Sequence, residues 1–512
     1  VNSKKKQWLL DFARLLVNPE KFKLNMKHLL FFLLLIGNAV TAQDDAYKFQ
    51  IVGAEDTVIY LANYYGEKLY YADTAYTDAE GNCSFKAVAD EAQGKYAIVA
   101  PGPKYFELVI ADGENIHMKS DTSDLTGNME VLESENNKIM YDYIEYLTSK
   151  KEQREKLVAE MEENKDKPKV AEKIKEKYTA LNTEVLEYQK SLREKHPDKF
   201  ASAEIYMSID PEVPEDIRQD REAGYYWFKS HYFDNIDLSD DRIVRTPIYH
   251  TKLVTFLNKT VIQTPDTLIP AIDDLIEKLD PNSEVFKYTV HYTTYNFETS
   301  KIMGLDEVFV HMVDKYYKTG LAYWMDEEKL KTIIEKADSK RKTLIGNKAP
   351  NLTLADTTGE NWISIYRDIK TKYVLLFFYD PDCGHCKKET PKLVEFFNAY
   401  EKDDLAIYAV SSDNSEKWNK FINKNEMNFY NVAIPQLAFE SADFATRLIT
   451  TGKTNYESLK FQETFDIFST PKIFVLDEER VIRAKDIGVE QIGDFLERFE
   501  EASEKDKDAE SD

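Results

Sequence analysis

The feature that most limits what this chain can fold into is a change of pattern at one point. Tyr373-Val374-Leu375-Leu376-Phe377-Phe378-Tyr379 is a continuous apolar run. It passes through Asp380-Pro381-Asp382 into Cys383-Gly384-His385-Cys386-Lys387-Lys388. An unbroken run of this kind suits a strand buried on both faces of a sheet. The residues that follow take up a helical period through Leu393, Phe396 and Phe397. A buried strand thus gives way to a helix within a short loop, and Cys383 falls at or beside the helix start. Unpaired backbone N–H groups and the positive dipole end of a helix stabilise a thiolate there. The thiolate is the nucleophile, so this placement raises the reactive fraction near neutral pH. Cys386, one turn further on, can reach the same sulfur, so a mixed disulfide on Cys383 can be resolved from within. A protonated His385 favours the thiolate further. Lys387 and Lys388 add little, because exposed charges are screened.

Other readings of the two cysteines are a structural disulfide, a zinc site and chance spacing. Cys83 is the one further cysteine in the sequence. It lies some three hundred residues away on a strand-like segment and reads as a small core residue. No second close Cys pair exists to complete a zinc tetrahedron. His231, His250, His291 and His311 are scattered, without the close pairs a metal site needs, so no metal and no cofactor is implied. Three cysteines are also too few for a disulfide-stapled scaffold.

At 512 residues the chain is long enough for about three domains, and 43% hydrophobic residues can fill their cores. Residues 1–42 hold seven Lys/Arg and two Asp/Glu, a charge of +5, so the formal −25 of the whole leaves −25 − 5 = −30 for the remainder. A surface that acidic repels phosphate backbones, so nucleic acid is not an expected partner. Met26-Lys27-His28, the apolar run Leu29–Ile36 and the small residues up to Ala42 read as a secretory signal cut after Ala42. The apolar run is too short to span a membrane, so no transmembrane helix is expected in the mature chain. Met26 is the expected true start, with residues 1–25 an upstream extension. The expected destination is an exported, oxidising space, the periplasm or cell envelope of a Gram-negative bacterium.

Residues 43–128 alternate apolar and polar positions, as in Lys48–Val52 and Tyr105–Ile110, and predict a small antiparallel β domain. Asp78-Ala79-Glu80-Gly81-Asn82 reads as a hairpin turn before Cys83-Ser84-Phe85. Residues 129–340 predict an all-α region. Its first part is two long charged helices, expected to be antiparallel, with a turn near Asn164–Pro168. Later breaks are expected at Pro211, Pro214, Pro247, Pro265, Pro270 and Pro281. Residues 345–502 predict an α/β domain, and 503–512 a disordered acidic tail.

Within 345–502, Ala349-Pro350 opens the unit and Pro391 follows Cys383 by eight residues. Leu405–Ser411 reads as the next strand, Ser415–Glu426 as a crossover helix and Val489–Phe499 as a closing helix. Thr470-Pro471 leads into the strand Lys472–Leu476, and Val481–Ala484 is a short final strand. Taken in order, these elements resemble the thioredoxin superfamily, and within it the TlpA/ResA-like envelope thiol–disulfide oxidoreductases of Bacteroidetes type. The β-rich segment is similar to those that precede such domains in exported Bacteroidetes proteins. The resemblance implies a thioredoxin-like fold and a redox pair at Cys383 and Cys386, with Gly384 and His385 between them. It implies a cis bond before Pro471 beside the cysteines, Thr470 presenting its backbone to substrate, and Pro391 kinking the active-site helix. The implied partners are protein disulfides or dithiols and an envelope redox partner. The Cys-Gly-His-Cys tetrapeptide also occurs in protein disulfide isomerases, so the motif leaves the direction of electron flow open.

The sequence departs from the family at two points. Phe377 stands where thioredoxins place a buried acid, which leaves the proton acceptor for Cys386 unassigned, with Glu389 as a candidate. Asp382 replaces the usual aromatic and, as a neighbouring anion, is expected to raise the Cys383 pKa. Two other functions compete with an oxidoreductase. A thiol peroxidase shares the fold, but its Pro and Thr/Ser positions hold Leu376 and Asp380 here. A partner-binding scaffold with a locally acting redox module would explain why over half of the chain lies outside that module.

Overall fold

The computed structural model describes residues 46–511 apart from Pro103. The export signal, its cleavage site and the Met26 start lie outside the described residues. The protein is multidomain, with a small N-terminal β domain, a central helical region and a C-terminal thioredoxin-like α/β domain. By compactness the chain divides at Ala159/Glu160, with Tyr64–Leu69 grouped with the second unit.

The β domain is built from β1 (Tyr47–Val52), β2 (Val58–Tyr65), β3 (Lys68–Tyr76), β4 (Asn82–Phe85), β5 (Gly94–Ala100), β6 (Lys104–Ile110), β7 (Ile116–Asp121) and β8 (Glu130–Glu133). They form two sheets, ordered β4-β1-β7-β8 and β3-β2-β5-β6. Alternate residues of β1 and β7 are buried, as the period-2 pattern requires. Phe49 of β1 meets Phe85 of β4 and Phe106 of β6, so both sheets contribute rings to one core. Two expectations fail here. The turn at Asp78–Asn82 forms, with Asp78 Oδ1 accepting from Glu80 N and Asn82 N, but it is no hairpin. It carries the chain from β3 in one sheet to β4 in the other. The domain is also not wholly antiparallel, because β1 and β7 pair in parallel. Local turn residues fix a reversal; they do not say which strand the returning chain joins.

Helix α1 (Glu135–Glu163) leaves this domain with its start tied to β6. The Asn137 side chain accepts from Val109 N and donates to Val109 O, both at 2.8 Å. Helix α2 (Pro168–Lys195) begins with proline at the position that needs no N–H donor. The main helical core is built by α3 (Pro265–Ile276), α4 (Glu284–Glu298), α5 (Asp306–Met312) and α6 (Glu327–Arg341), through side chains such as Leu275, Phe286, Phe309 and Ala337. Pro270, read as a break, lies inside α3 at an exposed position. One missing backbone donor on a wet face bends or weakens a helix without ending it when the opposite face is buried.

The C-terminal domain has β9 (Thr353–Asp356), β10 (Trp362–Ser364), β11 (Tyr373–Tyr379), α7 (Gly384–Ala399), β12 (Leu405–Ser411), α8 (Glu416–Asn425), β13 (Tyr430–Ala433), β14 (Lys472–Leu476), β15 (Ile482–Lys485) and α9 (Ile492–Ser511). The sheet order is β10-β9-β13-β12-β11-β14-β15. Every residue of β11 is buried. Leu375, Phe377 and Tyr379 join one core with Cys386 and Trp418, and Val374, Leu376 and Phe378 join the other with Leu354 and Phe465. Side chains buried this way each contribute about 1.5–3 kcal/mol. This is why the strand reads as a solid apolar run.

Between β13 and β14 lie four short helices, Gln436–Glu440, Ala442–Thr450, Tyr456–Leu459 and Phe461–Thr464, with breaks at Ser441, whose hydroxyl caps Phe444 N, and at Lys460. One further expectation gives way. The segment read as a disordered acidic tail continues α9 to Ser511. Its Ala, Glu, Lys and Ser contain no Gly or Pro to stop a helix already nucleated at Ile492. Among the described residues no helix is long and apolar enough to cross a membrane.

Candidate active site

The pairing of β11 explains the site. β14 runs antiparallel to β11, with Phe378 opposite Lys472. The residues just after β11 and just before β14 therefore meet at one end of the sheet. Those residues are Cys383 and Thr470-Pro471, and the Thr470–Pro471 bond is cis. The Cys383 thiol lies 3.2 Å from the Thr470 carbonyl and donates to it. Cys383 is the N-cap of α7, with extended backbone at φ −64° and ψ 127° and no side-chain cap. The first-turn amides of α7 are left facing the sulfur.

The two sulfurs are held differently. Cys383 is partly exposed and Cys386 is buried; both are free thiols. Desolvation pushes the Cys383 thiol up. The backbone N–H groups of Cys386 and His385, with the Thr470 hydroxyl and the Cys386 thiol, outweigh it, so the net direction is below the ordinary thiol range. Burial pushes Cys386 up to about 11, although the Asp380 N–H, 3.5 Å from its sulfur, works the other way. A partly exposed thiol whose pKa is lowered is thus paired, one helical turn away, with a buried thiol whose pKa is raised.

The remaining site residues divide. His385 is exposed, and what it offers Cys383 is its backbone N–H. Gly384 is exposed, with open space where a Cβ would stand, so packing does not demand glycine there. Pro391 sits inside α7 and cannot donate to the Lys387 carbonyl. Glu389 is partly buried and pairs with Lys392 at 3.1 Å. Phe377 is fully buried and stacks on Tyr379, which makes that position apolar in fact as well as in sequence.

Asp382 behaves otherwise than expected. Its carboxylate pairs with Lys417 at 2.7 Å and faces Lys387 at 4.0 Å. Lys387 Nζ also donates to the Asp382 carbonyl at 3.1 Å. A lysine from α8 thus pairs with the neighbouring anion and offsets part of its opposition to the thiolate, the pair being exposed and screened. Lys417 and the Asp380 amide are the site residues that sequence reasoning missed. Lys417 belongs to a crossover helix thirty-odd positions away, and a backbone amide carries no sequence signal.

A partly exposed cysteine capping a helix, a second buried one turn on and a cis-proline loop against the first together define a thioredoxin-like dithiol domain. Residues 345–485 match the model of the AhpC/TSA family, and residues 156–340 match that of a domain of unknown function (DUF5106). The thiol-disulfide oxidoreductase ResA of Bacillus cereus (strain ZK / E33L) is 28% identical over 160 residues, 31% of this chain and 79% of its own length. A putative peroxiredoxin, bcp, of Helicobacter pylori is 33% identical over 85 residues, 16% of this chain and 55% of its own. Among solved structures, a domain of a possible thiol-disulfide isomerase from Cytophaga hutchinsonii is 35% identical, with a TM-score of 0.26, covering 32% of this chain and 97% of that one. The protein is an enzyme of the thiol–disulfide oxidoreductase class, with its thioredoxin-like domain at the C-terminal end.

Proposed function

We propose that Cys383 and Cys386 are the working dithiol and that the substrates are disulfide-bearing proteins of the bacterial envelope. The Cys383 thiolate attacks one sulfur of the substrate disulfide, forming a mixed disulfide and releasing the first substrate thiolate. Cys386 then loses its proton and attacks the Cys383 sulfur. The intramolecular disulfide forms and the second substrate thiol leaves, so two electrons pass to the substrate. An external dithiol partner restores the pair, and the reverse direction uses the same atoms. Thr470 and Pro471 position the substrate backbone beside Cys383.

The observation that carries this reading is the asymmetry of the two sulfurs at the start of α7. The apolar run Leu29–Ile36 and the small residues up to Ala42 support export as the route to such substrates. The leucine at 376 and aspartate at 380, where peroxidases use proline and a hydroxyl, weigh against peroxide as the oxidant. The test is reduction of 5,5′-dithiobis(2-nitrobenzoic acid) by the reduced protein. Cys383→Ser is expected to abolish it, and Cys386→Ser to stop at a stable mixed disulfide. Undiminished turnover by Cys383→Ser would overturn the assignment.

A further inference from the structure

The helical region adds a surface next to the redox pair. A cavity of about 600 Å³ opens against the cis-proline loop. One wall is Ser469, Pro471, Ile487 and Val489 of the thioredoxin-like domain; the other includes Ile302 and Met303, from the loop between α4 and α5. Ser469 and Pro471 flank Thr470, whose carbonyl lies 3.2 Å from the Cys383 sulfur. The cavity is therefore lined by both chain neighbours of the residue that meets the Cys383 sulfur. The facing loop is exposed and, beside Lys301, carries two apolar side chains, Ile302 at 51% and Met303 at 40% exposure. Phe468, on the cis-proline loop, is 86% exposed.

We propose that the loop Ser300–Gly304 is one wall of the substrate groove, and that the groove takes an extended polypeptide segment with an apolar side chain next to its cystine. The inference rests on Cys383 and Cys386 being the working pair. Size favours a segment over a folded surface, since this volume falls within the ~300–1,000 Å³ typical of small-ligand pockets. The rim chemistry favours an apolar side chain over a charged one. Lys340 pairs with Asp466 at 2.9 Å, Lys472 with Asp486 at 3.3 Å, and Lys485 with Asp306. Glu298 pairs with Lys336 at 2.7 Å and Glu389 with Lys392 at 3.1 Å. Among the described residues Lys301 is the lining charge without an ion pair, and Ile302, Met303, Ile487 and Val489 supply the apolar contact.

The facing loop is also fixed in place. The Asp306–Lys485 pair is nearly buried, with side chains 15% and 9% exposed, and it ties the start of α5 to the end of β15. Lys485 Nζ donates in addition to the Thr343 carbonyl at 2.9 Å. Within the loop, the Ser300 hydroxyl accepts from Ile302 N at 3.2 Å, and Gly304 turns the chain at φ +86°. The wall is a preformed part of the groove, so its contacts need little ordering when a segment binds.

The test uses two short cystine-containing peptides that differ only in the residue preceding cysteine, leucine in one and aspartate in the other. Their reduction by the full chain is compared with that of 5,5′-dithiobis(2-nitrobenzoic acid). The leucine peptide is expected to be preferred by about tenfold in kcat/KM. In Ile302→Asp and Met303→Asp the preference is expected to shrink several-fold more than any change in the rate on the small disulfide. Circular dichroism checks that these exposed substitutions leave the fold intact. If the small disulfide is reduced and both variants keep the full leucine preference, the inference falls and the redox assignment stands. If Cys383→Ser reduces the small disulfide as well as the parent protein does, the redox assignment falls and the inference falls with it.

Discussion

Cys83 lies on a strand of the β domain, directly opposite Phe49 in register. Cys383 lies past the end of a strand, where a helix begins. The side chains are identical and their surroundings are not. Around Cys83 there is apolar packing, and burial followed by the charge of Asp78 pushes its thiol up to about 12. Around Cys383 the burial penalty is present but smaller than the pull of the amides at the start of α7, and the thiol moves down. A cysteine becomes a reagent when backbone donors face it and solvent reaches it; otherwise it is filling.

The sharpest way to break this contrast is to exchange each sulfur for oxygen. Cys383→Ser is expected to lower turnover of a small disulfide by at least about a thousandfold, because a neutral hydroxyl is a far weaker nucleophile than a thiolate. Cys83→Ser should leave the same rate within about twofold. Alkylation by iodoacetamide at pH 7 should label Cys383 at least about a hundredfold faster than Cys83 in the folded protein, as read by mass spectrometry. The midpoint of the Cys383 rate should fall on the acid side of that of an ordinary exposed thiol. Equal labelling of the two would remove the basis of the comparison.

Stability should show the opposite pattern. Cys83→Ser buries a hydroxyl and is expected to cost about 1–3 kcal/mol in denaturant unfolding of the β domain. Because the folded Cys83 thiol titrates above its unfolded value, its contribution is complete below about pH 8.5 and is lost as pH rises toward about 12. The Cys83→Ala protein should lack that alkaline decline. The smallest effect is expected from Lys417→Ala, which frees the Asp382 carboxylate beside the active thiol. Alkylation of Cys383 should slow by less than about threefold, and the difference should vanish in high salt, since the pair is exposed.

Much of the redox domain was legible because its signals are local. The solid apolar run of β11 announces burial on both faces, and the Cys-x-x-Cys at the following helix start announces a sulfur near free amides. What was not legible depends on which distant segments meet. The turn at Asp78–Asn82 has the residues of a hairpin, yet the chain crosses to the other sheet. The parallel partner of β1 is β7, some sixty residues later. Asp382 reads as a hindrance until Lys417 arrives from α8. The wall at Ile302 and Met303 carries no motif at all; two apolar residues in a loop look like any others until Lys485 and Asp306 bring them to the cis-proline loop.

The Asp306–Lys485 pair has a consequence for anyone who would cut the protein into modules. A scissor placed before Gly346 looks natural, since it falls between the helices and the thioredoxin-like sheet. It would strip Lys485 of its carboxylate and of the Thr343 carbonyl in one stroke, and would leave residues 346–349, which hydrogen-bond along β15, as a bare chain end. An excised redox module should begin a few residues earlier and carry a neutral side chain in place of that lysine.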